Sequence, residues 1–158
     1  MTDAPQLPMI ELRRIEARIL KHVYETLKAS QGEPVARATI AEAVKRSSIE
    51  QGQQMAGELG GKTSLRTFAA AIPRWSMDDA VTIDMKESSD TKLEFNITRC
   101  RYSEMYKEMG MGDIGHLLSC QRDGTFCEGY DSKMKMTRTQ TIMQGASHCD
   151  FKYRYEGE

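Results

Sequence analysis

The chain has no apolar run long enough to cross a bilayer. Its opening stretch, MTDAPQLPMIELRR, lacks the charged-then-apolar pattern of a signal peptide. Both absences predict a cytoplasmic protein with no membrane partner. No charge sign dominates either, since 22 Lys and Arg stand against 23 Asp and Glu and leave a formal charge of −1. Non-specific nucleic-acid binding needs a basic face, so no nucleic-acid partner is expected. Cysteine is scarce, at four residues, and no CxxC pair occurs. A zinc ribbon is thereby disfavoured, and a reducing compartment argues against structural disulfides. We expect no metal and no cofactor. There is no internal repeat and no low-complexity stretch.

The 158 residues suit one domain with a sizeable core. Residues 1–8 carry Pro5 and Pro8 and read as a flexible tail. Residues 9–158 read as a single α+β domain, with a helical half over about 9–73 and a sheet half over about 80–156. From Met9, the residues Leu12, Ile15, Ile19, Val23 and Leu27 recur at helical spacing, with Arg13, Arg14, Arg18 and Lys21 on the other side. This long helix should end near Gly32. A second helix carries Ile40, Val44, Met55 and Leu59, with Thr39 and Glu42 as a candidate capping box. Ser47, Ser48 and Gly52 weaken its middle, and a break is expected there. A short helix with Leu65, Phe68 and Ile72 should stop at Pro73. The apolar stripes need a cover, either the sheet or a second copy of the chain, which makes a homo-oligomer through the N-terminal helices one expected assembly.

After Ala80 the period becomes two. Val81, Ile83 and Met85 alternate with polar residues, as do Leu93, Phe95 and Ile97, around a Ser88-Ser89-Asp90 turn. Two short helices are expected next, Tyr102 to Met109 and Ile114 to about Arg122, the second capped by Asp113 and ended by Gly124. A second hairpin should join strands Met134–Ile142 and Cys149–Tyr155. The expected architecture is therefore N-terminal helices packed with a small antiparallel sheet built from two hairpins, with two short helices between them.

The densest chemistry lies between Cys100 and Phe151. His116, Cys120 and Asp123 are spaced four and three apart, which on a helix puts a base, a thiol and a carboxylate on one face. The bland alternative is that Cys120 is a small buried residue and His116 a surface one. Arg138 can grip a carboxylate with its planar fork, or form an ordinary ion pair. On a strand it would face away from Thr139 and Thr141, so the three share a pocket only if a bulge intervenes.

The segments FNITRCRYSEMYKEMGMGDIGHLLSCQRD and RTQTIMQGASHCDFKY together resemble the L-2-amino-thiazoline-4-carboxylic acid hydrolase family. The matching positions are Cys100, Tyr106, Gly110, Gly115, Cys120, Asp123, Arg138, Thr139, Thr141, Gly145, Cys149, Asp150 and Phe151. The helical half matches only in general character. The resemblance implies a hydrolase that opens a small cyclic amidine or thiazoline ring, giving a carbamoyl-cysteine, with a small molecule as its partner. The family is also distantly similar to 4-vinyl reductase domains, which bind small molecules and sometimes metal.

Three readings follow for the site. In the first, Cys120 and Asp123 are the chemical pair, with Cys100, Cys149 and His116 as further catalytic candidates. Arg138, Thr139 and Thr141 then bind substrate. In the second, the chain is a non-enzymatic binding module in which Cys100, Cys120 and Cys149, with Asp123 or Cys127, hold zinc or line an apolar pocket. In the third, it is an interaction protein. Under the first reading, the three cysteines Cys100, Cys120 and Cys149 should converge on one pocket. The predicted helix ends near Cys120 and Asp123, so its dipole should disfavour a thiolate. A protonated His116 or a cationic substrate would have to lower the thiol pKa.

Overall fold

The computed structural model describes residues 7–156, so residues 1–6 of the predicted tail and residues 157–158 lie outside the described residues. Helix α1 (Met9–Gln31) and helix α2 (Glu33–Glu58) are joined at Gly32, whose φ of 92° suits a residue without a Cβ. Pro34 lies in the first turn of α2, where its missing N–H is no loss. The helix thus starts well before Thr39. No capping box forms there, and the Thr39 hydroxyl donates to the Val35 carbonyl at 2.8 Å instead.

The face of α1 turned inward is not the predicted one. Ile10, Arg13, Ala17 and Tyr24 are buried, while Leu12, Ile15, Ile19 and Val23 are exposed, Ile19 at 68%. Ile10, Arg13, Ala17 and Tyr24 also recur at helical spacing, so two stripes compete on this helix. The buried one contains an arginine and an alanine. Nothing among the described residues covers the outer stripe.

The predicted break in α2 does not occur. Ser48 and Gly52 are buried because helix α6 (Arg122–Tyr130) crosses α2 at this point. A Cβ on Gly52 would sit 2.4 Å from the Phe126 carbonyl oxygen, and one on Gly129 would sit 2.0 Å from that of Ile49. The two backbones approach too closely for any side chain, which is the use of glycine here. The Ser48 hydroxyl donates to the Arg122 carbonyl at 2.9 Å and ties the crossing together.

After Gly60-Gly61, helix α3 (Leu65–Ala71) starts with a reciprocal cap between Ser64 and Thr67. Pro73 does not end the helical path but opens a further turn, α4 (Pro73–Ser76). Strands β1 (Val81–Ser88), β2 (Lys92–Cys100), β3 (Met134–Thr137) and β4 (Cys149–Tyr155) form one antiparallel sheet in the order β1-β2-β4-β3. The two hairpins merge because β4 pairs with β2, with Phe95 opposite Phe151 and Ile97 opposite Cys149. One sheet face buries Leu93, Phe95, Ile97, Cys149, Phe151 and Tyr153. The other is polar and carries the Glu94–Arg154 ion pair at 2.6 Å. Helices cover one face only, an α+β arrangement.

Helix α5 (Arg101–Glu108) stops at Gly110, with φ 74°, as expected. The next segment differs from the prediction. His116–Cys120 forms one wide π turn, closed by the Gln121 N–H donating to the His116 carbonyl at 3.0 Å. The regular helix α6 begins only at Arg122 and runs through Gly124 and the predicted loop TFCEGY. Strand β3 is also shorter than predicted. It ends at Thr137, and residues 138–148 form a loop with a 3-10 turn at Ile142–Gln144.

Candidate active site

Strand ends, a π turn and a helix start bring the candidate residues together. Cys100 ends β2, Cys149 begins β4, Cys120 closes the π turn, Asp123 lies in the first turn of α6, and Arg138 follows β3. All five line one cavity of about 280 Å³. Its remaining wall is largely apolar, with Trp75, Ile83, Phe95 and Phe126 among the lining side chains. The volume lies at the small end of ligand pockets, which run from roughly 300 to 1,000 Å³. Because β3 has ended before Arg138, strand parity no longer constrains that residue.

Asp123 Oδ2 accepts a hydrogen bond from Arg138 Nη1 at 2.8 Å, and Arg138 Nη2 donates to the Cys120 carbonyl at 2.9 Å. The guanidinium stacks 5.0 Å from the Phe151 ring centre. Arg138 thus spends its fork on the protein itself. Burial pushes the Asp123 carboxyl up to about 6, and the nearby Arg138 only partly offsets it. A third of the Asp123 side-chain surface, 34%, remains accessible. Asp123 lines the cavity, so the solvent it meets there is confined and screens it poorly. For Arg138, burial works downward but Asp123 outweighs it and raises the pKa, so the guanidinium stays charged.

The thiols are all less acidic than a free cysteine. Burial pushes Cys100 up to about 11 and raises Cys120 further, with the Asp123 charge adding to the effect at Cys120. Cys149 is also raised by burial, and its sulfur accepts the Ile142 N–H at 3.2 Å. None is a resting thiolate at neutral pH. The dipole argument from sequence lapses, because Cys120 closes a π turn that runs straight into α6 and Asp123 lies in the first turn of α6, so neither sits at a helix C-terminus.

His116 does not join this group. The π turn changes the angular step, so the four-residue spacing no longer aligns His116 with Cys120. His116 lines a separate cleft, with Gln121, Thr125 and Met136, and only Cys120 and Arg138 line both spaces. Burial, then Arg138 and Arg37, lower the His116 pKa, so it is neutral at pH 7 and cannot be the cation that acidifies Cys120. Thr139 and Thr141 also miss the cavity. The Thr139 N–H donates to Asp150 Oδ1 at 2.9 Å, and Thr141 Oγ1 accepts the Gln144 N–H at 3.2 Å. They shape the loop that carries Arg138. Cys127 faces the outer cleft, and its thiol donates to the Asp123 carbonyl at 3.5 Å. Among the described residues, no three His, Cys, Asp or Glu side chains are placed to hold a metal ion.

Sequence reasoning missed a second charged group on the cavity wall. Arg13 from α1 and Arg122 from α6 are both 7% exposed. Arg13 Nη1 pairs with Glu16 Oε1 at 2.6 Å, while Arg122 Nη2 reaches Glu16 Oε2 only at 3.6 Å. Both guanidinia also share Gln51 Oε1 at 3.4 Å. The legible signal for Arg13 was its place on the stripe of Ile10, Ala17 and Tyr24.

The chain is thus an α+β protein with a small, largely apolar cavity beside one helix crossing. Two solved structures share the architecture. One is the phenol-responsive sensory domain of the transcription activator PoxR, solved with phenol. It is 14% identical, aligned over 88% of this chain and 73% of that one, with a TM-score of 0.52. The other is trafficking protein particle complex subunit 3 from Naegleria fowleri, covalently bound to palmitic acid. It is 9% identical, aligned over 92% and 95%, with a TM-score of 0.54. At such identities the likeness is one of fold alone. No curated protein matches the sequence. The chain belongs to the L-2-amino-thiazoline-4-carboxylic acid hydrolase family, whose model matches residues 12–153. That match includes the helical half as well as the C-terminal segments that carried the resemblance. A hydrolase is thereby supported at the level of the family. Among the described residues, no helix is long and apolar enough to cross a membrane.

Proposed function

We propose that this protein is a hydrolase that opens a small cyclic amidine or thiazoline ring, with Asp123 as the proton-transfer group and Cys120 as the nucleophile. The observation that carries the reading is the half-buried Asp123–Arg138 pair in a cavity shared by Cys100, Cys120 and Cys149. A carboxyl with a pKa of about 6 can both accept and return a proton near neutral pH, which is what a general acid–base group needs. Arg138 holds the carboxylate in place and keeps it ionised often enough to act as a base.

The steps balance as follows. The Cys120 sulfur attacks the amidine carbon, and its proton passes to Asp123. The ring carbon–heteroatom bond breaks, and Asp123 returns the proton to the departing ring atom. Water then attacks the carbon now bonded to Cys120 and gives a proton to Asp123. The carbon–sulfur bond breaks, and Cys120 regains its proton. One water is consumed in each cycle. A cationic amidine substrate favours the first step, because its charge stabilises a thiolate that the empty site disfavours.

A second reading is a non-enzymatic small-molecule binding module. The largely apolar wall favours it, as does the fold shared with the phenol-responsive domain and the palmitate-bound subunit. Incubation with 2-amino-thiazoline-4-carboxylate, followed by mass spectrometry for addition of one water, separates the two. Ring opening lost in Asp123→Asn supports the hydrolase. Saturable binding without any product supports the module.

A further inference from the structure

Among the described residues, four arginines but only two carboxylates line the cavity, in a chain whose formal charge is −1. Arg138 is matched by Asp123, and Arg74 lies 3.7 Å from Glu58. Arg13 and Arg122 remain, and both lean on the same Glu16. Two buried guanidinia therefore share one carboxylate, and one positive charge on this wall has no partner among the described residues. Beyond Glu16, both share a single Gln51 oxygen at 3.4 Å, near the limit of a hydrogen bond, and Arg122 Nε also donates to the Leu118 carbonyl at 2.9 Å. Like charges placed side by side in a poorly solvated wall cost stability unless an anion sits between them. Ser103 lines the same cavity, and its buried hydroxyl has no hydrogen-bond partner among the described residues.

We propose that Arg13 and Arg122, rather than Arg138, form the end of the cavity that grips the carboxylate of a small monoanionic substrate. A monoanion matches the single uncompensated charge, whereas a phosphate dianion would exceed it. Two planar forks suit the two oxygens of a carboxylate. The proposal rests on reading the cavity as the substrate site, and it moves the carboxylate grip from Arg138 to helices α1 and α6. Arg122 and Asp123 line the same small cavity, so a ligand whose carboxylate is held at Arg13 and Arg122 shares that space with the acid–base group. Arg13 and Arg122 are then positioning residues.

The test is binding by the full chain, which needs no turnover. Thermal shift and calorimetric titration would compare benzoate and octanoate with benzamide and octanamide, and with inorganic phosphate. We expect each carboxylate to bind at least about tenfold tighter than its amide. Arg13→Gln should abolish that preference while leaving the melting temperature of the ligand-free protein unchanged or higher, because it removes the surplus charge. A purely structural arginine would lower it. Equal binding of acid and amide, no binding of either acid, tighter binding of phosphate, or a preference that survives Arg13→Gln would each overturn the proposal. Should Arg13→Gln fail to fold, Arg122→Gln takes its place and should likewise abolish the acid–amide preference; a preference that survives it overturns the proposal. An acid preference without ring opening would refute the hydrolase reading and leave this site standing. Ring opening without an acid preference would do the reverse.

Discussion

The two charged groups on the cavity wall are built from similar parts and behave differently. At Asp123 and Arg138, one acid meets one base at 2.8 Å, and the guanidinium also satisfies the Cys120 carbonyl. That group is closed, and what it offers is a carboxyl whose pKa is raised by burial. At Arg13, Glu16 and Arg122, two bases share one acid over 2.6 and 3.6 Å. That group is open, and what it offers is charge. The contrast separates two tasks: Arg138, expected from sequence to grip a substrate carboxylate, instead holds Asp123 in place. Gripping a substrate carboxylate needs an unspent cation, while proton transfer needs a carboxyl held in place and kept near neutrality.

Breaking the closed group should have the largest effect. Cys120→Ala and Asp123→Asn should each lower turnover on a ring-opening substrate by about a hundredfold or more, with circular dichroism unchanged. A folded Cys120→Ala protein that keeps most of its activity would exclude covalent catalysis there. The shared platform is next. Gly129→Ala would force a Cβ into the Ile49 carbonyl, and since neither backbone can yield cheaply it should cost about 3 kcal/mol in urea unfolding. Both groups ride on α6, so both activities should fall together. Arg138→Met would leave Asp123 buried without its cation. We expect its pKa to rise further above 6, the pH–rate midpoint to move up with it, and stability to drop by about 2 kcal/mol.

A smaller effect concerns stability against pH. The Asp123 carboxyl rises from 3.8 to about 6 on folding. Between those values the folded protein holds a proton that the unfolded chain has released. Stability from this group therefore falls as pH climbs from about 4 to about 6, and stays level above that. The stability of wild type relative to Asp123→Asn should decline across this window in parallel denaturation curves. A difference that grows with pH would mean that Arg138 dominates burial. The smallest expected effect is from His116→Ala. It should change turnover little, because the imidazole faces the outer cleft.

Much of this was legible in the chain. The hairpin of β1 and β2, the length of α1, and the inward face of Cys149, Phe151 and Tyr153 follow from periodicity alone. Three features were not, each for a physical reason. The π turn at His116–Cys120 carries no propensity signal, and it shifted α6 by about two turns past the predicted Asp113 cap. Gly52 read as a weak point because only the tertiary structure reveals the helix crossing it permits. Arg13 read as solvent-facing because an arginine on an apolar stripe is expected to point away, unless a buried carboxylate and a cavity receive it. The cysteines at 100, 120 and 149 do meet in one cavity, yet their long sequence separation gave no local geometry from which to derive it.

The most direct measurement is the pH dependence of kcat/KM for ring opening, taken in parallel for the wild-type protein and Asp123→Asn. With Asp123 as the base in the free enzyme, kcat/KM should rise through a single ionisation near pH 6 and then level off. The residual activity of Asp123→Asn should lack that step. A wild-type profile that is flat across pH 5 to about 8, or the same midpoint persisting in Asp123→Asn, would contradict the assignment of proton transfer to Asp123.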